Sequence, residues 1–278
     1  FASRHGAPSS QECNIWLMLL AVGRLASRCW IARHCLEVGI RGVRYSQAPT
    51  TIRTMTSSDH IPDYPVTSVG FEARYPGPSE EEMTDEQKKI RDAIVATRKR
   101  TGLSGPFGPW LAVPAIAEPA QALGRACRYG TSLSFKESEL VILLTGAKTK
   151  SHAEFDIHVG EALRAGWSLD FIQAIPRDDE FSLQKVKSVL VPMLEDEREK
   201  AIALFTAELV DSYTVSDETY ETTKKVMGGK DSVLVEIVSI SGYYTYVAYT
   251  LNVFRIPSAS GPASSAGKRK REDDEGKA

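Results

Sequence analysis

The chain has 278 residues, enough for one large domain or two small ones. With 42% hydrophobic and 25% charged residues it has an ordinary globular composition, which excludes wholesale disorder. A net charge of -2 gives no general pull toward nucleic acid or an anionic membrane, and neither is expected as a partner.

No apolar run reaches the roughly 18 residues of a spanning helix; the best candidate, Ile15 to Val22, has eight. The four cysteines, Cys13, Cys29, Cys35 and Cys127, include no CxxC pair, which disfavours a disulfide framework and a four-cysteine zinc site. Residues 1–54 hold seven Arg, no Lys and two acids, Glu12 and Glu37. This is the bias of a mitochondrial presequence, with a short apolar stretch like that of a signal peptide. The other reading takes Met55 as the true start and 1–54 as upstream sequence outside the fold. The expected location is cytoplasmic, or mitochondrial if 1–54 is a genuine presequence. Residues 55–79 read as a polar lead.

From 80 to 256 helix starts and stops recur. Thr84 with Gln87 is a capping-box pattern, and Gly102 closes that segment. Residues 102–119, rich in Gly and Pro and carrying Phe107 and Trp110, read as a loop with short turns. Ser134 with Glu137 starts the next helix. Ser151 with Glu154 starts another, stopped at Gly166. A short helix follows Ser168, then helices over 182–191 and 194–213, and one from Ser216 to Gly228-Gly229. The last and longest spans 232–255 and is apolar or aromatic on nearly every face. Such a helix is buried all round or lies in a subunit interface. No strand–helix alternation occurs, so the predicted class is all-α. The chain divides into two helical units of similar pattern, ending near 175 and 256. Residues 257–278 hold no apolar side chain larger than Ala and read as a disordered charged tail. Its Lys268-Arg269-Lys270-Arg271 run is either a nuclear import signal or, with Glu272 to Glu275 beside it, a self-neutralised tail.

Chemistry concentrates in 137–168. Glu154 and His158 are four residues apart and share one helix face, at the edge of an apolar sector of Phe155, Val159, Ala162 and Leu163. A carboxylate that orients an imidazole at such a border makes a sheltered acid/base pair. The structural alternative is that Glu154 serves only as a first-turn acid of a helix capped by Ser151. His158, at the edge of the core, is expected to contribute little to stability. Candidate substrate contacts are Ser151, His152, Trp110, Tyr243 and Tyr244, each with a plain packing or solvent-facing alternative. Lys148 and Lys150 could attract an anion or form a solvated turn. Glu139, Glu154 and His158 contain one imidazole, a thin set for zinc or iron, so no metal is expected.

The run of Glu139, apolar residues, Ser151-x-x-Glu154-x-x-x-His158, Ala162 and Gly166 resembles the carboxymuconolactone decarboxylase family of the alkylhydroperoxidase D-like superfamily. The resemblance covers roughly residues 100–175 and extends more weakly to 256 through Gly242-Tyr243-Tyr244. It implies a small multi-helical fold and homo-oligomers, commonly trimers or hexamers. In the redox branch, a Cys-x-x-Cys pair precedes the His and a Glu lies on the preceding helix. Aligned by His158, the cysteine positions are Ser151 and Glu154, and the upstream Glu is Glu139. Ser and Glu supply no thiolate and no resolving thiol, which disfavours peroxide reduction. The decarboxylase branch implies a reaction without metal or organic cofactor on a small carboxylated or lactone substrate. There His158 protonates carbon or stabilises an oxyanion, and Glu154 or Glu139 fixes its tautomer. Proton abstraction, isomerisation and lactone opening fit the same residues. The alternative class is a non-catalytic helical oligomer that has kept the scaffold.

Overall fold

The structure, a computed structural model, describes residues 72–98 and 102–258. The expectations for 1–54, for most of the 55–79 lead and for the charged tail fall outside the described residues. Among the described residues every regular element is helical.

Helix α1 (Asp85–Thr97) starts as predicted: Thr84 and Gln87 satisfy each other's backbone N–H groups in a capping box. The Gly/Pro-rich stretch that reads as loop is instead largely helical, with α2 at Phe107–Leu111 and α3 at Pro114–Tyr129. Its prolines mislead because Pro114 occupies the first turn, where a missing N–H costs nothing and the fixed φ suits a helix. The buried face of α3 is made of small residues, Ala117, Ala120, Gly124 and Cys127. Gly124 is required by a close approach: a Cβ there would lie 2.1 Å from Tyr243 Oη.

Helix α4 (Phe135–Lys148) begins in a second complete capping box, Ser134 with Glu137, and buries every residue from Glu137 to Ala147. A three-residue link leads into α5 (His152–Ala165), which packs on α4 and stops at Gly166, φ 100°. Ser151 occupies the cap position of α5, but its hydroxyl makes no capping bond, so the expected Ser151/Glu154 cap does not form. Glu154 turns toward His158 instead.

After α6 (Leu169–Ala174) the chain runs through short helical turns. The single helix expected over 182–191 is a one-turn α7 (Leu183–Lys185) that widens into a π turn, Val186–Leu190, and tightens into a 3-10 turn, Val191–Met193. Then come α8 (Glu197–Ser212), capped by Asp196, and α9 (Asp217–Val226), capped by Ser216. The last helix, α10 (Asp231–Phe254), is 24 residues long, about 36 Å at 1.5 Å per residue.

Helix α4 lies at the centre, against α5, α8 and α10, and α10 also packs on α3 and α5. One continuous core runs from Met83 to Leu251, so the two stretches of similar pattern share a single interior. No described helix is long and apolar enough to cross a membrane. Although α10 is apolar on nearly every face, only part of it is buried within the chain. Val235, Val238, Tyr246, Tyr249 and Val253 form an exposed stripe along one side.

Candidate active site

Four helices supply the site. Glu139 comes from α4, Glu154 and His158 from α5, Arg128 from α3, and Tyr243 and Tyr244 from α10. The helical repeat stacks Glu154 under His158, and packing of α5 on α4 brings Glu139 to the other edge of the ring.

His158 is 4% exposed, Glu154 2% and Glu139 0%. The imidazole lies deeper than the edge-of-core position expected from the apolar sector. Nδ1–H donates to Glu139 Oε2 at 2.6 Å. Nε2 is 3.1 Å from Glu154 Oε1, within ion-pairing distance but outside hydrogen-bond geometry, so that buried oxygen has no hydrogen-bond partner. Burial alone would lower the imidazole pKa, but the charges of Glu139 and Glu154 outweigh it, and the pKa is pushed up to about 9. At neutral pH the ring is therefore an imidazolium between two carboxylates.

Arg128 extends the charge alternation. Its Nη2 is 3.5 Å from Glu139 Oε1 and donates to Glu161 Oε2 at 3.1 Å, while Nη1 donates to Tyr244 Oη at 3.2 Å. Arg164 Nη1 donates to the other oxygen of Glu161 at 2.7 Å. Burial opposes the charge of Arg128, but Tyr244, Glu139 and Glu161 more than restore it, and the guanidinium stays protonated. The Tyr244 ring meets His158 edge-on at 5.1 Å. Burial raises the pKa values of Tyr243 and Tyr244 well above the usual phenol range, so both are neutral hydroxyls.

These groups border a cavity of about 500 Å³ walled by α1, α3, α5, α10 and the Ser104–Phe107 segment. His158, Glu154, Arg128, Tyr243 and Tyr244 all line it, and Phe107 with Val247 supplies apolar wall. Arg98 lines it as well, its guanidinium 4.4 Å from the Phe107 ring centroid. Among the described lining residues, Arg98, Arg128, Arg164 and the imidazolium outnumber Glu154 and Glu161, which favours an anionic occupant.

Not every residue singled out in the sequence reaches this cavity. Trp110 is buried in the core, with Nε1–H donating to Thr250 Oγ1 at 3.0 Å and the ring stacked on Tyr246 at 4.7 Å; its polar handle is satisfied there. His152 is partly exposed, with Nε2 3.7 Å from Asp178, away from the cavity lining. Ser151 is buried outside the lining, its hydroxyl without a hydrogen-bond partner. Lys148 and Lys150 pair with Asp211 and Asp179 at 2.6 and 2.5 Å. Glu139 is not in the lining either and acts on the cavity through the imidazole and through Arg128.

Conversely, Arg128, Glu161 and Gly124 belong to the site and were not singled out, and Phe107, noted only as part of a loop, walls the cavity. The period that would have exposed α3 is present, with small residues at 117, 120, 124 and 127, but it carries little apolar bulk. Cys127 lies on the buried face of α3, with Sγ–H donating to Ser239 O at 3.5 Å. Burial raises the pKa of its thiol, and it does not line the cavity. Among the described residues no three His, Cys, Asp or Glu side chains converge as metal ligands.

The sequence matches no protein-family model and no curated relative. Among solved structures the chain is similar to an uncharacterized peroxidase-related protein from Silicibacter sp. TM1040, with a TM-score of 0.53 at 13% identity, covering 67% of this chain and 92% of that one. It is also similar to the debrominase Bmp8 in complex with 2,3,4-tribromopyrrole, with a TM-score of 0.52 at 8% identity, covering 70% and 95% of the two chains. At these identities the likeness is one of fold. The all-helical architecture expected from the sequence is the fold the chain has, and it is shared with these two structures.

Proposed function

We propose that the protein is a cofactor-independent lyase, a decarboxylase in the first instance, acting on a small carboxylated or lactone substrate in the 500 Å³ cavity as a self-associated assembly. The observation that carries this reading is the His158 imidazolium, held between Glu139 and Glu154 at the cavity wall. A proton donor that stays charged at neutral pH, shielded from bulk water, suits a reaction that must protonate carbon. Loss of carbon dioxide leaves the bonding electron pair on the substrate as an enolate or dienolate. The Nε2 proton of His158 then passes to carbon, forming the C–H bond, and solvent returns a proton to the ring. Glu139 fixes the ring through Nδ1–H. The excess of cationic lining groups supports an anionic substrate.

Dithiol peroxide reduction fits this site poorly. Ser151 and Glu154 stand where that chemistry needs sulfur, and Cys127 is buried elsewhere. The test begins with carboxylated metabolites in cells with and without the gene. The compound that accumulates is given to purified protein in deuterated water. The expected result is release of carbon dioxide with one solvent deuteron on the product carbon, lost in His158→Gln and unchanged in Cys127→Ser. Absence of any accumulating carboxylate, or peroxide-dependent turnover that Cys127→Ser abolishes, would overturn the proposal.

A further inference from the structure

We infer that the Tyr244 hydroxyl, aimed by Arg128, is the donor that receives the oxyanion of the bound substrate, an enolate or phenolate oxygen. The inference rests on the preceding reading of the cavity and names a subsite within it.

The argument is one of hydrogen-bond inventory. A neutral phenol offers one proton and accepts through its lone pairs. Tyr244 Oη accepts from Arg128 Nη1 at 3.2 Å, and no acceptor for its own proton is found among the described residues. Tyr244 lines the cavity, so the proton is left for a ligand there. The orientation is rigid because the guanidinium is held by Glu161 at 3.1 Å, which is itself held by Arg164 at 2.7 Å. Arg128 also makes the phenol a better donor by drawing charge from its oxygen.

The phenol ring is close to the acid. The Tyr244 and imidazole rings meet edge-on with centroids 5.1 Å apart, and both residues line the same cavity. Phe107 and Val247 offer apolar wall to the rest of the occupant. During decarboxylation the electrons of the breaking C–C bond move onto this oxygen. Tyr244 hydrogen-bonds to it without giving up its proton, and the pair returns to carbon as His158 protonates there. Arg128 is then a positioning residue and Tyr244 the group that touches substrate.

The probe is 4-nitrophenol, whose neutral and ionised forms differ in colour, with nitrobenzene as a neutral ring of similar shape. Full-length wild-type protein should bind the phenolate in preference to the phenol, seen as growth of the phenolate absorption band on titration. Tyr244→Phe should weaken phenolate binding by about 10- to 100-fold, the worth of one hydrogen bond to a charged oxygen, and leave nitrobenzene binding unchanged. Arg128→Lys keeps the charge but not the fixed geometry and should also lose the phenolate preference while still binding nitrobenzene. Failure of the wild type to bind the probe at millimolar concentration, preference for the neutral phenol, or undiminished phenolate binding in Tyr244→Phe would overturn the assignment. Phenolate preference without turnover of any carboxylate would defeat the lyase reading and leave the subsite standing. Turnover without phenolate preference would do the reverse.

Discussion

His158 sits where burial and charge oppose each other, and the balance sets both its chemistry and its contribution to stability. Removing a group from between two buried carboxylates leaves their charges uncompensated, a loss of about 3–5 kcal/mol for a broken buried pair. The small stability effect expected of an edge-of-core imidazole therefore does not hold for a ring that is 4% exposed. His158→Ala should lower both the melting temperature and turnover. His158→Gln keeps one hydrogen bond and much of the shape and should unfold at an intermediate temperature. Its turnover should still fall by about 10²- to 10⁴-fold, the usual worth of a general acid. A Gln variant with near-normal turnover would remove the acid role.

The same ring gives stability a pH dependence with a defined sign. Its pKa rises from 6.5 to about 9 on folding, so the folded state binds the proton more tightly. The contribution, about 3 kcal/mol, is fully present below the unfolded value and is lost as pH rises through 9. Urea midpoints of wild type measured between pH 6 and 10 should therefore fall more steeply than those of His158→Gln. Parallel curves would contradict this.

At the scale of elements, α3 brings the site together, and it was the hardest helix to read. Capping boxes announced α1 and α4, and unbroken apolarity announced α10. Helix α5 was legible from its Gly166 stop and from the spacing of Glu154 and His158, although its Ser151 cap did not form. Helix α3 offers only small residues on its buried face and three prolines in or near its first turns, so local signals read as loop. The pairing of Arg128 with Tyr244 spans 116 residues and depends on how α3 lies on α10, which no local pattern encodes. Trp110 shows the opposite error: a lone aromatic in a Gly/Pro-rich stretch looks like a pocket wall, but tertiary packing gave its indole a core partner.

Gly124 tests this packing. Alanine would gain about 1 kcal/mol in helix propensity. However, its Cβ would fall 2.1 Å from Tyr243 Oη and 2.4 Å from Cζ, and a ring held in the core cannot yield cheaply. Overpacking of this kind costs about 1–3 kcal/mol, so Gly124→Ala should be net destabilising. Combined with Tyr243→Phe it should be non-additive, since the two sites share one contact. A Gly124→Ala protein as stable as wild type would mean that α3 and α10 are not packed so closely.

At the scale of the whole molecule, the apolar stripe on α10 is matched by exposed apolar residues on its neighbour α3, Ile116 and Leu123, and by Val113 at the cap of α3. An isolated exposed Leu needs no explanation, but an aligned apolar row along one helix is the kind of surface that a partner covers. A second copy of the chain is the occupant expected from the sequence. Light scattering at micromolar concentration should give a mass above the 30.6 kDa of one chain, and Tyr249→Glu should reduce it while leaving the helical signal intact. A wild-type mass of a single chain would contradict this.

The central claim is that a buried imidazolium is poised as an acid beside the cavity, and it can be tested before any substrate is known. Long-range nitrogen–proton NMR on uniformly labelled protein, with His158→Gln to assign the signals, reports whether each ring nitrogen carries a proton. Both nitrogens of His158 should be protonated at neutral pH, with one proton lost as pH passes about 9. A singly protonated, neutral ring at neutral pH would contradict the account.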